Sequence, residues 1–330
     1  MNPLIIVGVC VLVAAGLTLV ILHLALRYAA ALPLDVANGR SLHVGAIPRI
    51  GGIGMAIAVT ASQGCYAYFA TAHLPAVLYV AAVGLVGVSF VDDCRTLPVV
   101  LRLLAHMVAA VTIVALLDVP WFYALALVLA LIWMTNLYNF MDGSDGLAGT
   151  MAAIGFAAYA LAAWPGNEPL ACLAATVAAA AAAFLVFNGS PATVFLGDAG
   201  SIPLGFLAGA LGILGWQQGL WSIWFPLQVF LPFIADATVT LGRRLLQGEA
   251  VWQAHRDHYY QRLVRLGLSH RTLAVYAGAL MACCAATAIA ALAARPEAQG
   301  GWLFFWCLVG TAIMIWTESR WRRAGSGREN

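Results

Sequence analysis

Four polar side chains recur at every third position where a long apolar segment ends. Asn136, Asn139, Asp142 and Asp145 follow residues 121–135, which are almost all apolar. A charge inside a bilayer costs about 2.5–3.5 kcal/mol even on lenient insertion scales, so acids at the edge of such a segment indicate function. Because residues three apart are neighbours on a helix, we expect the four side chains to share one surface. Helix capping is the alternative, and it suits one of the four but not all of them.

Two further acidic sites stand at the ends of apolar runs. Asp92 and Asp93 close the run 76–91, and Asp198 follows the run 169–187. Two unit charges ~4 Å apart repel by about 4 kcal/mol at an effective dielectric near 20, so clustered carboxylates call for a divalent cation. Oxygen ligands without Cys or His suit Mg²⁺ or Mn²⁺. Mg²⁺ usually joins a few protein oxygens to substrate phosphates, which predicts a phosphate-bearing substrate.

The positive charge that such a substrate needs must come from arginine. The chain has 16 basic residues and every one is Arg. The segment 242–271 holds His255, Arg256 and His258, and an Arg fork binds phosphate oxygens bidentately, which makes the segment a candidate pyrophosphate clamp. The alternative is a basic loop that contacts anionic lipid headgroups. We favour the clamp because a topology signal needs no paired His.

The composition indicates that membrane helices carry these groups. With 63% hydrophobic residues, 9% charged residues and a mean hydropathy of +0.91, the chain is predicted to be an all-α, polytopic integral membrane protein. Apolar runs of ~17–25 residues match a hydrocarbon core of ~30 Å. About eleven helices are predicted, at 3–31, 51–71, 75–91, 99–117, 121–140, 147–164, 169–187, 201–216, 221–241, 272–294 and 301–318.

The distribution of Arg predicts the orientation of these helices. One set of connections holds nearly all the loop arginines, including Arg243 and Arg244, which we interpret as topology signals, while the opposite set holds only Arg295. Short cytoplasmic loops collect positive charge, so the N-terminus is predicted to be periplasmic and the C-terminus cytoplasmic. The first helix is expected to stay as an anchor, and residues 320–330 to form a short disordered end. Cytoplasmic active-site loops are predicted near 33–50, 92–98, 136–146, 188–200 and 242–271.

The motifs, taken in order, resemble those of the polyprenyl-phosphate N-acetylhexosamine-1-phosphate transferases, a family that includes initiators of O-antigen synthesis and the phospho-N-acetylmuramoyl-pentapeptide transferases. The matching stretches lie between residues 35 and 265, and they are Arg40-Ser41-Leu42-His43, 48–52, Asp92-Asp93, 136–146, 196–201 and the form Ala254-His255-Arg256-x-His258. That last form is similar to the O-antigen branch and departs from the His-His-His pattern of the peptidoglycan branch. Arg102 stands where many relatives have Lys.

The resemblance implies one transmembrane sugar-phosphate transferase domain over 1–330, in the bacterial inner membrane, with its active site facing the cytoplasm. It implies that undecaprenyl phosphate attacks the β-phosphorus of a UDP-N-acetylhexosamine, releasing UMP, with Mg²⁺ as cofactor and Mn²⁺ as the alternative. A homodimer is left open, and no nucleic-acid partner is expected. The implied catalytic residues are Asp92, Asp93, Asp142 and Asp145, the metal ligands Asp198 and Asn139, and the substrate-binding residues Arg49, Arg102, Asn136, Phe195, His255, Arg256 and His258.

Several alternatives stay open on the sequence alone. A permease or exporter of lipid-linked glycans would also be polytopic, but midplane charges and internal repeats, which are typical of transporters, are not evident. A lipid phosphatase would need aspartates in a different motif. Phe195 suits stacking on uridine or packing against a neighbouring helix equally well. The sugar is open among GlcNAc, GalNAc, FucNAc and QuiNAc, and so is the choice between single displacement and a covalent intermediate.

Overall fold

The computed structural model describes residues 2–28, 34–36, 46–250, 255–293 and 295–326. The Arg40-Ser41-Leu42-His43 motif lies outside them. The described part is almost entirely helical, which confirms the all-α prediction, and its one small sheet pairs β1 (Leu34–Val36) antiparallel with β2 (Ala46–Pro48). The helices are α1 Pro3–Arg27, α2 Gly51–Phe69, α3 Ala76–Cys94, α4 Val99–Val114, α5 Trp121–Phe140, α6 Leu147–Ala163, α7 Glu168–Asn188, α8 Asp198–Gln217, α9 Trp224–Val229, α10 Leu231–Leu246, α11 Tyr259–Arg265, α12 His270–Ala290 and α13 Pro296–Ser326.

Seven of the described helices are long and apolar enough to cross a membrane, namely α1, α3, α5, α7, α8, α12 and α13. Helices α4 and α6 are apolar but shorter. The protein is therefore a polytopic membrane protein, as predicted. The number of spans, about eleven, and their orientation stay predictions.

Two predicted boundaries are wrong. The predicted helix 221–241 is two helices, α9 and α10, which meet at Phe230. Pro232 lies in the first turn of α10, where the missing N–H of proline is tolerated, whereas inside one continuous helix it would remove a backbone hydrogen bond. The end predicted to be disordered also differs, because α13 continues as a helix to Ser326.

The core is built around α7 and α8. The Ala-rich helix α7 contacts α1, α2 and α6, and α8 contacts α2, α3, α5 and α6. Small residues let membrane helices approach closely. Gly205 of α8 shows this, because an added Cβ would lie 2.7 Å from the carbonyl oxygen of Met134 on α5. This approach sets the last turn of α5 beside the first turns of α8.

Polar contacts mark two opposite ends of the bundle. At one end, which we call the site end, α3 and α5 finish while α2 and α8 begin, and hydrogen bonds join these termini. At the other end, the Tyr66 hydroxyl donates to Glu168 (3.3 Å) and the Asn167 amide donates to Gln218 (2.5 Å). The motif residues thus gather at one end because successive helices run in alternating directions.

Candidate active site

Asp93 joins the end of α3 to the start of α8. Its two carboxylate oxygens accept hydrogen bonds from the backbone N–H groups of Asp198 (3.1 Å) and Ala199 (3.0 Å), and its side chain is only 1% exposed. The first N–H groups of a helix have no partner within the helix, and a carboxylate there also interacts favourably with the helix dipole. Gly197 precedes them with φ +72°, and a Cβ there would lie 2.8 Å from Asp93 Oδ2. Asp93 therefore fixes the position of Asp198.

Asp92 and Asp198 face the same arginine. Arg102, in the first turn of α4, donates to Asp92 at 3.0 Å, and its Nη1 lies 3.9 Å from Asp198 Oδ2. Asp92 also accepts from the backbone N–H of Leu97 (2.7 Å). The Asp92 side chain is 6% exposed and that of Asp198 25% exposed. Asp198 is thus the carboxylate of this group that is most open to a ligand.

Asn139, at the end of α5, contacts the first turn of α8, the helix that begins at Asp198. Its Oδ1 accepts a hydrogen bond from the hydroxyl of Ser201 (2.9 Å), which is in the first turn of α8. Within the described residues, no three His, Cys, Asp or Glu side chains are arranged to hold a metal ion. A cation here would have two protein oxygens and would take its other ligands from water and phosphate. That donor set fits Mg²⁺, which retains waters and bridges to substrate phosphates.

The expected single surface at 136–145 is wrong, because α5 ends at Phe140. Asn136 and Asn139 remain on the helix, but they point to different neighbours: the Asn136 amide lies 3.2 Å from His106 Nδ1 on α4 and donates to Ile132 O. Asp142 and Asp145 lie in the connection to α6. Asp145 accepts from the backbone N–H of Ala192 (3.2 Å). A spacing of three no longer places residues side by side once the helix has ended.

Asp142 is the acid whose protonation is most perturbed in this connection. Burial raises its pKa well above the ordinary value, the charges of Asp198 and Asp93 raise the pKa further, and only Arg49 opposes them. Asp142 thus lies within the field of the two carboxylates at the start of α8. A carboxylate with a raised pKa suits proton transfer near neutral pH.

Arg49 and Phe195 belong to a second junction of the site. Phe195 donates from its backbone N–H to Pro48 (2.9 Å), and its carbonyl accepts from Gly51 (2.9 Å), so the segment runs parallel to the chain at Arg49. Arg49 Nη1 lies 4.0 Å from Asp93. Phe195 is only partly buried. Its two predicted roles, uridine stacking and packing, both stay predictions.

Asn188 is a positioning residue that the sequence analysis missed. Its Oδ1 accepts from the backbone N–H of Gly146 and its amide donates to Val194 O, each at 2.9 Å. It is 4% exposed and ties the connection after α5 to the segment before α8. A lone Asn at the end of an apolar run gives no signal for two such distant partners.

The predicted pyrophosphate clamp is held by Asp236 of α10. Its carboxylate accepts from the backbone N–H groups of Tyr259 (2.9 Å) and Tyr260 (3.0 Å), and it lies 3.2 Å from His258 Nδ1. It therefore caps α11 from another helix. The Tyr260 hydroxyl donates to Phe140 O (3.0 Å), which links α11 to the end of α5.

His255 and His258 lie side by side, with ring centroids 4.9 Å apart. Burial, reinforced by His258 and Arg244, lowers the pKa of His255 to about 4. His255 is therefore neutral at pH 7 and adds no positive charge beside Arg256. Arg256 is partly exposed.

Arg243 and Arg244 are not merely topology signals. Arg243 donates to Glu318 of α13 (3.1 Å) and to the backbone carbonyl of Asp257 (3.1 Å). Arg244 forms ion pairs with Asp257 and with Glu249. Both arginines thus hold the segment that carries the clamp, and charge counting along the chain could not reveal these partners.

Comparison with known proteins agrees with this arrangement of motifs. The family model described as glycosyl transferase family 4 matches residues 75–216, the range that holds Asp92, Asn139 and Asp198. A probable undecaprenyl-phosphate N-acetylglucosaminyl 1-phosphate transferase of Bacillus subtilis is 30% identical over 256 residues, covering 72% of this chain and 71% of that protein.

Two further relatives represent two branches. The undecaprenyl-phosphate alpha-N-acetylglucosaminyl 1-phosphate transferase of Salmonella typhi is 30% identical over 269 residues, again covering 72% of this chain and 71% of the relative. A phospho-N-acetylmuramoyl-pentapeptide-transferase of Oceanobacillus iheyensis is 42% identical, but over 99 residues, 29% of this chain and 30% of the relative. Since two relatives match along most of their length and the motif residues meet at one end of the bundle, the chain belongs to the polyprenyl-phosphate N-acetylhexosamine-1-phosphate transferase family.

Proposed function

We propose that this protein transfers an N-acetylhexosamine 1-phosphate from a UDP-sugar to undecaprenyl phosphate, with release of UMP. The observation that carries the proposal is the junction of α3, α4, α5 and α8. There Asp198 lies beside Arg102, and Asn139 accepts a hydrogen bond from Ser201, which is about one helical turn after Asp198. Carboxylates and arginine at the end of a membrane bundle suit a reaction between a lipid phosphate and a water-soluble diphosphate. The names of the two relatives that match over most of the chain support the same acceptor.

We assign a different role in this reaction to each group of polar residues at the site. Asp198 and Asn139 would hold Mg²⁺, which when bound neutralises charge on the diphosphate. Arg102 and Arg49 supply positive charge beside the acids. Asp92, engaged by Arg102 and Leu97, organises the electrostatics of the site rather than acting as a base.

Asp142, a buried acid close enough to Asp93 and Asp198 to feel their charges, is our candidate for the general base. It takes the proton of the lipid phosphate, whose oxygen then attacks the β-phosphorus. The bond from the β-phosphorus to the bridging oxygen breaks, and UMP leaves with that oxygen. Positioning and charge neutralisation supply most of the catalysis in phosphoryl transfer.

We place the reaction at the first step of a cell-surface polysaccharide such as O-antigen, at the cytoplasmic face of the bacterial inner membrane. The support is the His255-Arg256-x-His258 form of the clamp, which differs from the His-His-His pattern of the peptidoglycan branch. The local similarity to a pentapeptide transferase makes a peptidoglycan-type donor the competing assignment.

A donor panel with the purified protein tests these assignments. UMP release is measured with undecaprenyl phosphate, Mg²⁺ and each of UDP-GlcNAc, UDP-GalNAc, UDP-FucNAc, UDP-QuiNAc and UDP-N-acetylmuramoyl-pentapeptide. We expect turnover with an N-acetylhexosamine donor and none with the pentapeptide donor. Turnover with the pentapeptide donor alone would contradict the O-antigen assignment, and absence of UMP with every donor would contradict the proposed reaction.

Asp198→Asn tests the metal assignment. Loss of an outer partner of a metal ligand already costs ~10- to 100-fold, so loss of a ligand charge should lower turnover by at least about 100-fold. The control is Asp118→Asn, which changes an exposed acid between α4 and α5 and should keep wild-type turnover. Wild-type activity of Asp198→Asn at ordinary Mg²⁺ would remove Asp198 from the metal site.

A further inference from the structure

The C-terminal helix α13 contacts the helices beside the clamp through the carboxylate of Glu318 and through the ring of Trp321, whose centroid lies 5.2 Å from Arg262 and 4.5 Å from Arg265. Glu318 accepts hydrogen bonds from Arg243 Nη1 (3.1 Å), Arg262 Nη1 (2.6 Å) and Arg322 Nε (2.9 Å). Arg243 belongs to α10 and Arg262 to α11. One acid of α13 thus joins the two helices that flank residues 247–258.

Asp257, in the connection between α10 and α11, shares Arg243 and Arg262 with Glu318 and also contacts Arg244. Its carboxylate pairs with Arg244 and lies 4.0 Å from Arg262, and its backbone carbonyl accepts from Arg243 (3.1 Å). Asp257 is next to Arg256 and His258 in the chain. Any movement of Asp257 therefore also moves Arg256 and His258, two of the three clamp residues.

The arginines in these contacts are largely buried, so their charges need carboxylate partners. The side chains of Arg243, Arg244 and Arg262 are 18%, 10% and 9% exposed, and the Nε of each is buried without a hydrogen-bond partner. The guanidinium carbons of Arg243 and Arg262 also lie 5.5 and 5.9 Å from the ring centroid of Tyr259. Removing one partner of a buried ion pair leaves an uncompensated charge, so the arrangement tolerates loss of a carboxylate poorly.

We infer that Glu318 and Asp257 are positioning residues that hold Arg256 and His255 in place through Arg243, Arg244 and Arg262. The inference rests on the proposed function, in which this segment binds the pyrophosphate of the UDP-sugar. The inference gives α13 a specific role in donor binding, although α13 lies outside the range 75–216 that the family model matches.

Steady-state kinetics of Glu318→Gln test the role. We expect the KM for the UDP-sugar to rise about 10-fold, the lower end of what loss of a supporting partner costs at a ligand site, while kcat and the KM for undecaprenyl phosphate stay near wild type. Glu318→Asp should recover part of the donor KM. Glu297→Gln, at the opposite end of the same helix and exposed, is the matched control and should change neither KM.

Trypsin cleavage after Arg256 gives a readout that does not depend on catalysis. If Glu318 holds the segment, Glu318→Gln in detergent should be cut there faster than wild type, with the fragments identified by mass, and Glu297→Gln should not. Glu318→Asp serves the same test if Glu318→Gln fails to fold. Faster cleavage in a protein that makes no UMP with any donor would overturn the proposed function but keep the positioning role. Unchanged cleavage and an unchanged donor KM would overturn the positioning role.

Discussion

At the scale of single residues, the aspartates of the site have the same chemistry but different environments. Asp93 is almost fully buried, and both of its carboxylate oxygens accept hydrogen bonds from the backbone of α8. Asp198, in contrast, is partly exposed beside Arg102. Burial and the charges of these two neighbours raise the pKa of Asp142. The same side chain thus caps a helix, stays partly open beside an arginine or has a strongly raised pKa, according to what surrounds it.

The clamp shows a similar division between His and Arg. His255 is neutral at pH 7 because burial lowers its pKa to about 4, so it can bind an ionised phosphate only as a neutral hydrogen-bond donor. Arg256 carries a guanidinium, which offers several N–H donors and a positive charge. We therefore assign charge neutralisation of the donor's pyrophosphate to Arg256.

Arg256→Ala tests this assignment. A charge-assisted hydrogen bond is worth about 1.5–3 kcal/mol, so kcat/KM for the UDP-sugar should fall ~10- to 100-fold. Arg256→Lys should recover only part of the loss, since an ammonium lacks the fork of two donors.

Arg271→Ala, at an exposed position in the first turn of α12, is the control. Arg243 and Arg244 are unsuitable controls because they hold Asp257. Equal, mild losses for Arg256→Ala and Arg271→Ala would reduce the segment to a general basic surface.

At the scale of elements, the site depends on how closely helices approach at their termini. Gly52, in the first turn of α2, donates its backbone N–H to Leu196 O (2.8 Å). An added Cβ there would overlap the backbone of Gly200 and lie 2.6 Å from the carbonyl carbon of Ala199. The start of α2 therefore rests directly on the start of α8, beside Asp198.

Gly52→Ala should disturb both stability and catalysis, because backbone rather than a flexible side chain must give way. Overpacking costs about 1–3 kcal/mol, and α8 would shift relative to Asp93. Gly64→Ala is the matched control on the same helix, since nothing lies within 4 Å of its added Cβ and Ala is better than Gly in a helix by roughly 0.5–1 kcal/mol. Thermal unfolding in detergent and UMP release are measured for both. A Gly52→Ala protein as stable and active as Gly64→Ala would contradict the close approach.

The helices themselves could be predicted from apolar runs because each run must cover a hydrocarbon core on its own. The break at Phe230 was missed because Pro232 is compatible both with the start of a helix and with a kink inside one. Hydropathy does not distinguish a helix start from a kink. The prediction of one shared surface at 136–145 was wrong because the helical spacing ends with α5 at Phe140. The partners of Arg243 and Arg244 were missed because Asp257 and Glu318 are brought to them by the fold.

At the scale of the whole molecule, the alternation of helix directions places polar groups unequally at the two ends. The site end gathers Asp93, Asp198 and Asn139, and the ends of α10 and α13 meet beside the clamp at Arg243 and Glu318. The UDP-sugar that we propose as donor is water-soluble, so it would reach the site from the aqueous side of this end. The side of the membrane that this end faces therefore decides whether the proposed donor can be used.

Topology mapping in intact cells tests that orientation. Positive charge favours the cytoplasm for short loops, and Arg243 and Arg244 lie at the site end, so we expect an epitope tag inserted at the exposed Gly248 to be protected from outside. A tag at the exposed Gly166, between α6 and α7 at the opposite end, should be accessible. Each insertion is first checked for UMP release, so that only correctly folded proteins are compared. Access from outside at Gly248 with protection at Gly166 would reverse the bundle and separate the site from cytoplasmic UDP-sugars.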